Sequence, residues 1–488
     1  MRTEFSDALK KYAVKSEISI NQQIKLLHID RSTYFKFLKG DRIPKYEMLT
    51  AIAELLGING DDFISLETLY YEAKEGRLFV EEMHAVKECI ETLFENPSDS
   101  TETGFENVIQ NNVINEEIST ESSRYASGGV EKENDPSKVK YFSGAGGKEH
   151  LIDVILSEIS KDNAKIDMFI SANDREFFRI IKKLLIKNQE HIAYVREIFQ
   201  FPNDVVKNPV DIINSFASAL ELSSNGIKGY EAYYYYGASG IDEKFSVFYP
   251  YCIILHKNVF FLNLDSYIEI NEQELADKIR ERFELRLSQT KKLIFSCDTI
   301  NDFLLASVNF FRNHESEIMY TMNETFCAAK MADEQLIKKY VAPEFWETII
   351  TYCSIVQQLT EVKEFIFLNG IKAFAKDGKI YDFPVGEPIV LDREDRIYSL
   401  NTILDGLGAR FFIIDDRYFS NTNMWSFVVN RDIGLSFYKS LDTRFIQLDE
   451  VNVVNSFTDF FEIINDSHFV LKTEDAKKEI SKLIMSMM

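Results

Sequence analysis

Cysteine, histidine, tryptophan and proline are all scarce: 5, 7, 2 and 9 residues respectively in a chain of 488. The cysteines (Cys89, Cys252, Cys297, Cys327, Cys353) form no C-x-x-C pair and have no histidine at ligand spacing. That argues against a disulfide framework or a zinc site and for reduced thiols in a cytoplasm. With so few histidines, metal clusters are not expected, and no His-Glu-x-x-His or Gly-x-Ser-x-Gly occurs. No run approaches the roughly 18 apolar residues of a membrane span. The start, MRTEFSDALKKY, lacks the apolar stretch of a secretory leader. A cytoplasmic protein with no cofactor and no membrane contact is expected.

Positive charge is also in short supply. The chain holds 55 Lys+Arg against 78 Asp+Glu, a net of −23. Residues 1–57 run the other way, with 10 Lys+Arg against 7 Asp+Glu, a net of +3, which leaves −26 for the rest. An acidic body repels nucleic acid, so any polyanion contact is expected on the small basic head.

The head has a readable helical order. Phe5, Leu9, Tyr12 and Ala13 lie at helical spacing; Ser19 is placed to cap a second helix and Asp30 a third. On the third helix Tyr34, Phe37 and Leu38 fall on one side, and Arg31, Ser32, Phe35, Lys36 and Lys39 on the other. Residues 31–45 carry five cations (Arg31, Lys36, Lys39, Arg42, Lys45) against one acid, Asp41. Lys45–Leu56 repeats the helical period and Gly57 follows as a C-cap.

Over about residues 1–62 this pattern resembles the Cro/repressor-type (XRE) helix-turn-helix family. The matching stretches are Ile29-Asp30-Arg31-Ser32-Thr33, Gly40-Asp41-Arg42-Ile43-Pro44, and Met48 to Gly57. The resemblance implies that Arg31, Ser32, Thr33 and Lys36 face bases or phosphates and that Gln22 touches the backbone. With Phe35, Lys39 and Arg42 these are the expected DNA-binding residues. The sequence departs from the family at His28, where a turn glycine is usual; a positive φ at a histidine is expected there.

The chain stays helical from Leu66 to Phe94, with an interruption expected at Gly76. The stripe Val80, Met83, Val86, Ile90, Leu93 is either a dimerisation helix or a packing face for the head or the next domain. His84 and Cys89 on it read as bystanders. Residues 96–137, rich in Ser, Thr, Asn and Glu, read as a flexible tether.

From Lys138 onward the pattern alternates strand and helix, an α/β or α+β region. Gly144-x-Gly146-Gly147-Lys148 misses the P-loop spacing and reads as a strand-to-helix turn. Tyr251–Leu262 and Trp425–Ser436 repeat an apolar strand, a polar turn and a second strand at an offset of 174, which points to an internal duplication. The paired halves resemble phospholipase-D-like sensor domains. Catalytic members carry His-x-Lys-x-x-x-x-Asp, whereas His256-Lys257 are adjacent here, so no phosphodiesterase is expected. Asp415-Asp416 reads as a turn with solvated acids, with a strand-end carboxylate pair as the alternative. In the run Tyr230, Tyr233, Tyr234, Tyr235, Tyr236, one face is expected in the core and the other on the sheet surface, with a ligand groove as the alternative.

The sequence therefore predicts a helical N-terminal head plus a large, duplicated α/β region. The expected segments are 1–62 (helix-turn-helix), 63–95 (helical bridge), 96–137 (tether), 138–300 and 301–488 (two sensor halves). The expected function is sequence-specific regulation of transcription, not catalysis. The expected partners are a double-stranded operator, a second copy of the chain, and a small-molecule, peptide or protein effector. The alternatives are an enzyme targeted by the head or a protein-interaction scaffold.

Overall fold

The computed structural model describes residues 3–94 and 138–488, apart from positions 144, 162, 171–174, 203–208, 226, 228, 238–250, 264–265, 298, 313–317, 360, 384–386, 420–423 and 440–443. The tether expected over 96–137 lies outside the described residues. Six helices come first: α1 Glu4–Lys15, α2 Ile20–Leu26, α3 Arg31–Lys39, α4 Tyr46–Leu56, α5 Gly60–Glu75 and α6 Arg77–Phe94. Their starts follow local chemistry. Thr3 and Ser19 form capping boxes with Ser6 and Gln22, and Asp30 caps α3. Gly40 and Gly57 close α3 and α4 in the left-handed region, at φ +76° and +68°.

The bridge divides at Gly76, whose φ of +100° redirects the chain. Helix α5 belongs to the head: Leu66 and Tyr70 are buried against Phe5, with the Phe5 and Tyr70 rings 5.6 Å apart. Helix α6 belongs to the body. Its Val86, Cys89, Ile90 and Phe94 are fully buried in the largest core, where the Phe94 ring lies 5.6 Å from Phe367 and 6.2 Å from Phe427. The stripe that the sequence offered for dimerisation is therefore consumed inside the chain. Full burial of each such side chain contributes roughly 1.5–3 kcal/mol, which favours this intramolecular partner over a free face.

The body consists of two modules with the same strand order. In the first, β1 Val139–Ser143, α7 Ala145–Ile159, β2 Ala164–Ile170, α8 Arg175–Lys187, β3 Ile192–Pro202, α9 Pro209–Ser224 and β4 Tyr230–Gly237 come first. The antiparallel strands β5 Tyr251–Ile254, β6 Asn258–Asn263 and β7 Ser266–Asn271 follow, then α10 Gln273–Leu287 and the short β8 Lys291–Lys292. The sheet runs β1-β7-β6-β5-β2-β3-β4-β8, with β2, β3 and β4 parallel.

The second module begins at β9 Phe295–Cys297 and α11 Ile300–Arg312, then β10 Met319–Asn323. Three helices follow (α12 Ala328–Met331, α13 Glu334–Tyr340, α14 Trp346–Gln357), then β11 Val362–Phe367 and α15 Leu368–Asp377. A small ribbon (β12 Lys379–Ile380, β13 Ile389–Val390) precedes α16 Arg393–Asp405 and β14 Phe411–Ile414. The antiparallel strands β15 Ser426–Asn430, β16 Gly434–Lys439 and β17 Arg444–Leu448 lead to α17 Val451–Ile464 and α18 Thr473–Met487. This sheet runs β14-β11-β10-β15-β16-β17-β9, with β10, β11 and β14 parallel. Apart from the short edge strand β8, which has no counterpart, it repeats the first sheet strand for strand. Because β9 pairs with β17, the second repeat begins before residue 301, where the sequence placed it.

Each module carries several helices on one sheet face and a single helix on the other. In the first, α10 covers one face through Ala276, Ile279 and Phe283, while α7, α8 and α9 cover the face that turns inward. In the second it is the single-helix face, under α17, that turns inward; α11 to α16 and α18 cover the outer face. The modules thus stack head to tail, with α6, α9 and α17 between the sheets. Among the described residues no helix is long and apolar enough to cross a membrane.

Candidate nucleic-acid interface and the strand-end acids

The head presents α3 on its surface. Tyr34, Phe37 and Leu38 are buried, and they anchor the helix against Phe5, Leu9, Leu49 and Ile52. Gln22, Arg31, Ser32, Lys36, Lys39 and Arg42 are exposed, and Thr33 and Phe35 are half-buried. The turn before α3 places His28 at φ +52°, and the Ile29 N–H donates to the Ile24 carbonyl at 3.3 Å. Asp30 accepts from the Thr33 N–H at 2.8 Å and from the Thr33 hydroxyl at 2.5 Å. Hydrogen bonds from Thr33, aided by Ser32, lower its carboxyl to about 2. The Arg31 guanidinium lies 5.6 Å from the Phe35 ring centroid. Arg31, Lys36, Lys39 and Arg42 make no ion pair among the described residues, which leaves four cations free to meet phosphates or base edges.

A buried polar joint sets the pose of α3, and the sequence reading did not find it. Gln23 is fully buried; its amide donates to the carbonyls of Ala13 at 2.9 Å and Ile18 at 2.6 Å. Its carbonyl accepts from the Tyr34 hydroxyl at 2.6 Å. One side chain thus ties α1, α2 and α3 together. On sequence alone Gln23 is simply a polar residue beside Gln22, and nothing local separates them.

A second joint holds the head on the body. Glu67 of α5 accepts from the Tyr46 hydroxyl, from the His468 ring, and from the His468 N–H at 3.2 Å. Glu67 and His468 are 401 positions apart, so no local pattern could pair them. Lys472 pairs with Glu54 of α4 beside them. The clamp uses α4 and α5, and α3 stays exposed.

In the body, Asp415 and Asp416 are not the solvated turn the sequence favoured. Asp415 is buried; burial works against its charge, but the Arg417 guanidinium, 3.0 Å from both oxygens, holds its carboxyl low. Asp416 caps the start of α15 by accepting from the Asn369 N–H at 2.8 Å, and burial raises its carboxyl. Burial, then the charge of Asp416, lifts Glu324, just past the end of β10, to about 7. A Cβ on Gly370 would sit 1.8 Å from the Glu324 carbonyl oxygen, so only glycine lets α15 approach β10 this closely. Among the described residues no group of three or more His, Cys, Asp or Glu is placed to hold a metal.

His256 and Lys257 are exposed at the tip of the β5–β6 hairpin. Of the tyrosines, Tyr230 and Tyr234 point into the large core, while Tyr233 and Tyr235 pack beside α10, where Arg286 lies 4.7 Å from the Tyr235 centroid. The second face is therefore covered by a helix and is not open sheet. Tyr236 donates to Glu450 at the start of α17. Gly144 lies outside the described residues.

No protein-family model matches the chain, and no curated protein matches it. Among solved structures it is similar to Nuc, a phospholipase D family member from Salmonella typhimurium, at 15% identity, covering 32% of this chain and 97% of that one, with a TM-score of 0.22. It is similar to TrmBL2, an archaeal chromatin protein with a described mode of DNA binding, at 10% identity over 56% and 100% of the two chains, with a TM-score of 0.22. Phosphatidylserine synthase of Haemophilus influenzae matches at 9% identity over 72% and 93%, with a TM-score of 0.21. At these scores the likenesses assign no activity.

Proposed function

We propose that the chain is a sequence-specific DNA-binding regulator of transcription, in which the head reads an operator through α3 and the body binds an effector without catalysis. The observation that carries this reading is the outer face of α3: Arg31, Lys36 and Lys39, with Arg42 in the following turn, are exposed and make no ion pair among the described residues. They sit on the head, whose residues 1–57 carry a net charge of +3 in a chain of net −23. Such a helix start is the part that enters the major groove in helix-turn-helix proteins. On this reading the protein works in the cytoplasm, and two copies bring two heads to a two-fold operator through a surface other than α6.

The test is selection of genomic fragments on the full chain, followed by gel-shift titration of the selected site. Arg31→Ala and Lys36→Ala should each weaken binding by roughly 1–3 kcal/mol, and affinity should fall steeply with salt. Folded variants that bind the selected site as tightly as the parent would refute the assignment.

A further inference from the structure

A pocket of about 480 Å³ opens where the head meets the body, walled by α5, α6, α17 and residues 467–469. Its size falls in the range of roughly 300–1,000 Å³ typical of small organic ligands. Five phenyl and phenol rings line it, from Tyr71 and Phe79 on the head side and bridge and from Tyr418, Phe460 and Phe469 on the body side, together with the imidazoles of His84 and His468. Aromatic walls favour a flat, π-rich guest that can stack or meet them edge-on.

The charges around the pocket select against ions. Glu67 in the wall is already engaged by Tyr46 and His468. Lys87 pairs with Glu91, and Arg417 pairs with Asp415 at 3.0 Å. The ionisable groups left over, Glu88 and the His84 imidazole, sit on the exposed rim, where water screens them. An ionic guest would lose hydration on entry and find no unpaired counter-charge in the wall.

We propose that this pocket binds a neutral, planar aromatic molecule held between head and body. The proposal does not depend on DNA binding. Because α5 comes from the head and α17 from the body, a guest touching both stabilises the arrangement in which the two enclose it.

The test uses the full chain and two probes that share a ring system. N-phenylnaphthylamine is neutral and brightens on leaving water; anilinonaphthalene sulfonate carries a negative charge. The neutral probe should bind saturably at one site, about tenfold or more tighter than the sulfonate. Ile64→Trp and Thr68→Trp, at two half-exposed lining positions, fill the pocket and should each weaken the neutral probe by about tenfold or more. Melting followed by circular dichroism identifies which variants are folded, and two positions guard against one failing to fold. Arg31→Ala, outside the pocket, should leave probe binding unchanged. Tighter binding of the sulfonate, non-saturable binding, or probe affinity unaffected in the folded tryptophan variants would each overturn the proposal.

Discussion

The two modules of the body share a strand order but bury it differently. Each middle parallel strand carries one glutamate on the face covered by several helices: Glu197 on β3 and Glu364 on β11, with exposures of 0% and 1%. In the first module this face turns into the centre of the molecule. Glu197 is met at 3.4 Å by Lys182 of α8, itself 1% exposed, and accepts from the Tyr230 hydroxyl at 2.6 Å. In the second module the same face turns outward. Glu364 is met at 3.0 Å by Arg410, whose side chain is 28% exposed, and it also accepts from the Cys327 N–H at 3.3 Å. The lesson is that a repeated topology keeps its hydrogen-bonding ladder while the side chains answer to depth. A cation in the middle of the body has no water to fall back on, and its counterpart near the surface does.

That contrast can be broken by removing the cations. Lys182→Met leaves Glu197 charged, buried and held only by Tyr230. The expected loss is roughly 3–5 kcal/mol in urea unfolding, and adding Glu197→Gln should recover most of it. Arg410→Met should cost less, roughly 1–3 kcal/mol, because water reaches the site and the Cys327 N–H remains. Equal losses from the two single variants would show that depth does not distinguish the modules.

A smaller effect sharpens the picture at the strand ends of the second module. Glu324 titrates at about 7 in the folded chain against 4.5 ordinarily, chiefly through burial. Between those values the folded state keeps a proton that the unfolded state has lost, so stability falls as pH rises through that window. Glu324→Gln removes this dependence. Its melting temperature should therefore drop less than the parent's between about pH 5 and about pH 8. Parallel profiles for parent and variant would place the drop elsewhere.

The head was largely legible because its signals are local. Ser19, Asp30 and Gly57 act as caps within three or four residues of their partners, and His28 takes the positive φ that its place in the turn demands. The side of α3 carrying Arg31 and Lys36 could be separated from the Tyr34 side by helical period alone. The duplicated hairpins were legible for the same reason: the turns close on themselves, with the Leu255 N–H donating to Asn258 at 2.8 Å and Asn430 accepting from the Asp432 N–H at 2.9 Å. What could not be read was partnership at a distance. The apolar stripe of α6 specifies burial without naming what covers it. Asp415 looks like any acid after a strand until the distant segment at Phe469 closes over it and accepts the Asp415 N–H at 2.8 Å.

The placement of α6 has a consequence for how the protein is made. Ser456 of α17 donates to Glu82 of α6 across 374 positions of chain. The head can fold as soon as it leaves the ribosome and α9 can cover part of α6 once the first module is made, but Phe94 and Glu82, which meet Phe427 and Ser456, stay bare until most of the body has been synthesised. A product that ends between α6 and β15 therefore pairs a finished head with a sticky, partly uncovered helix. To chaperones and proteases, that helix marks an unfinished body, and the mark is hidden once β15 and α17 are in place.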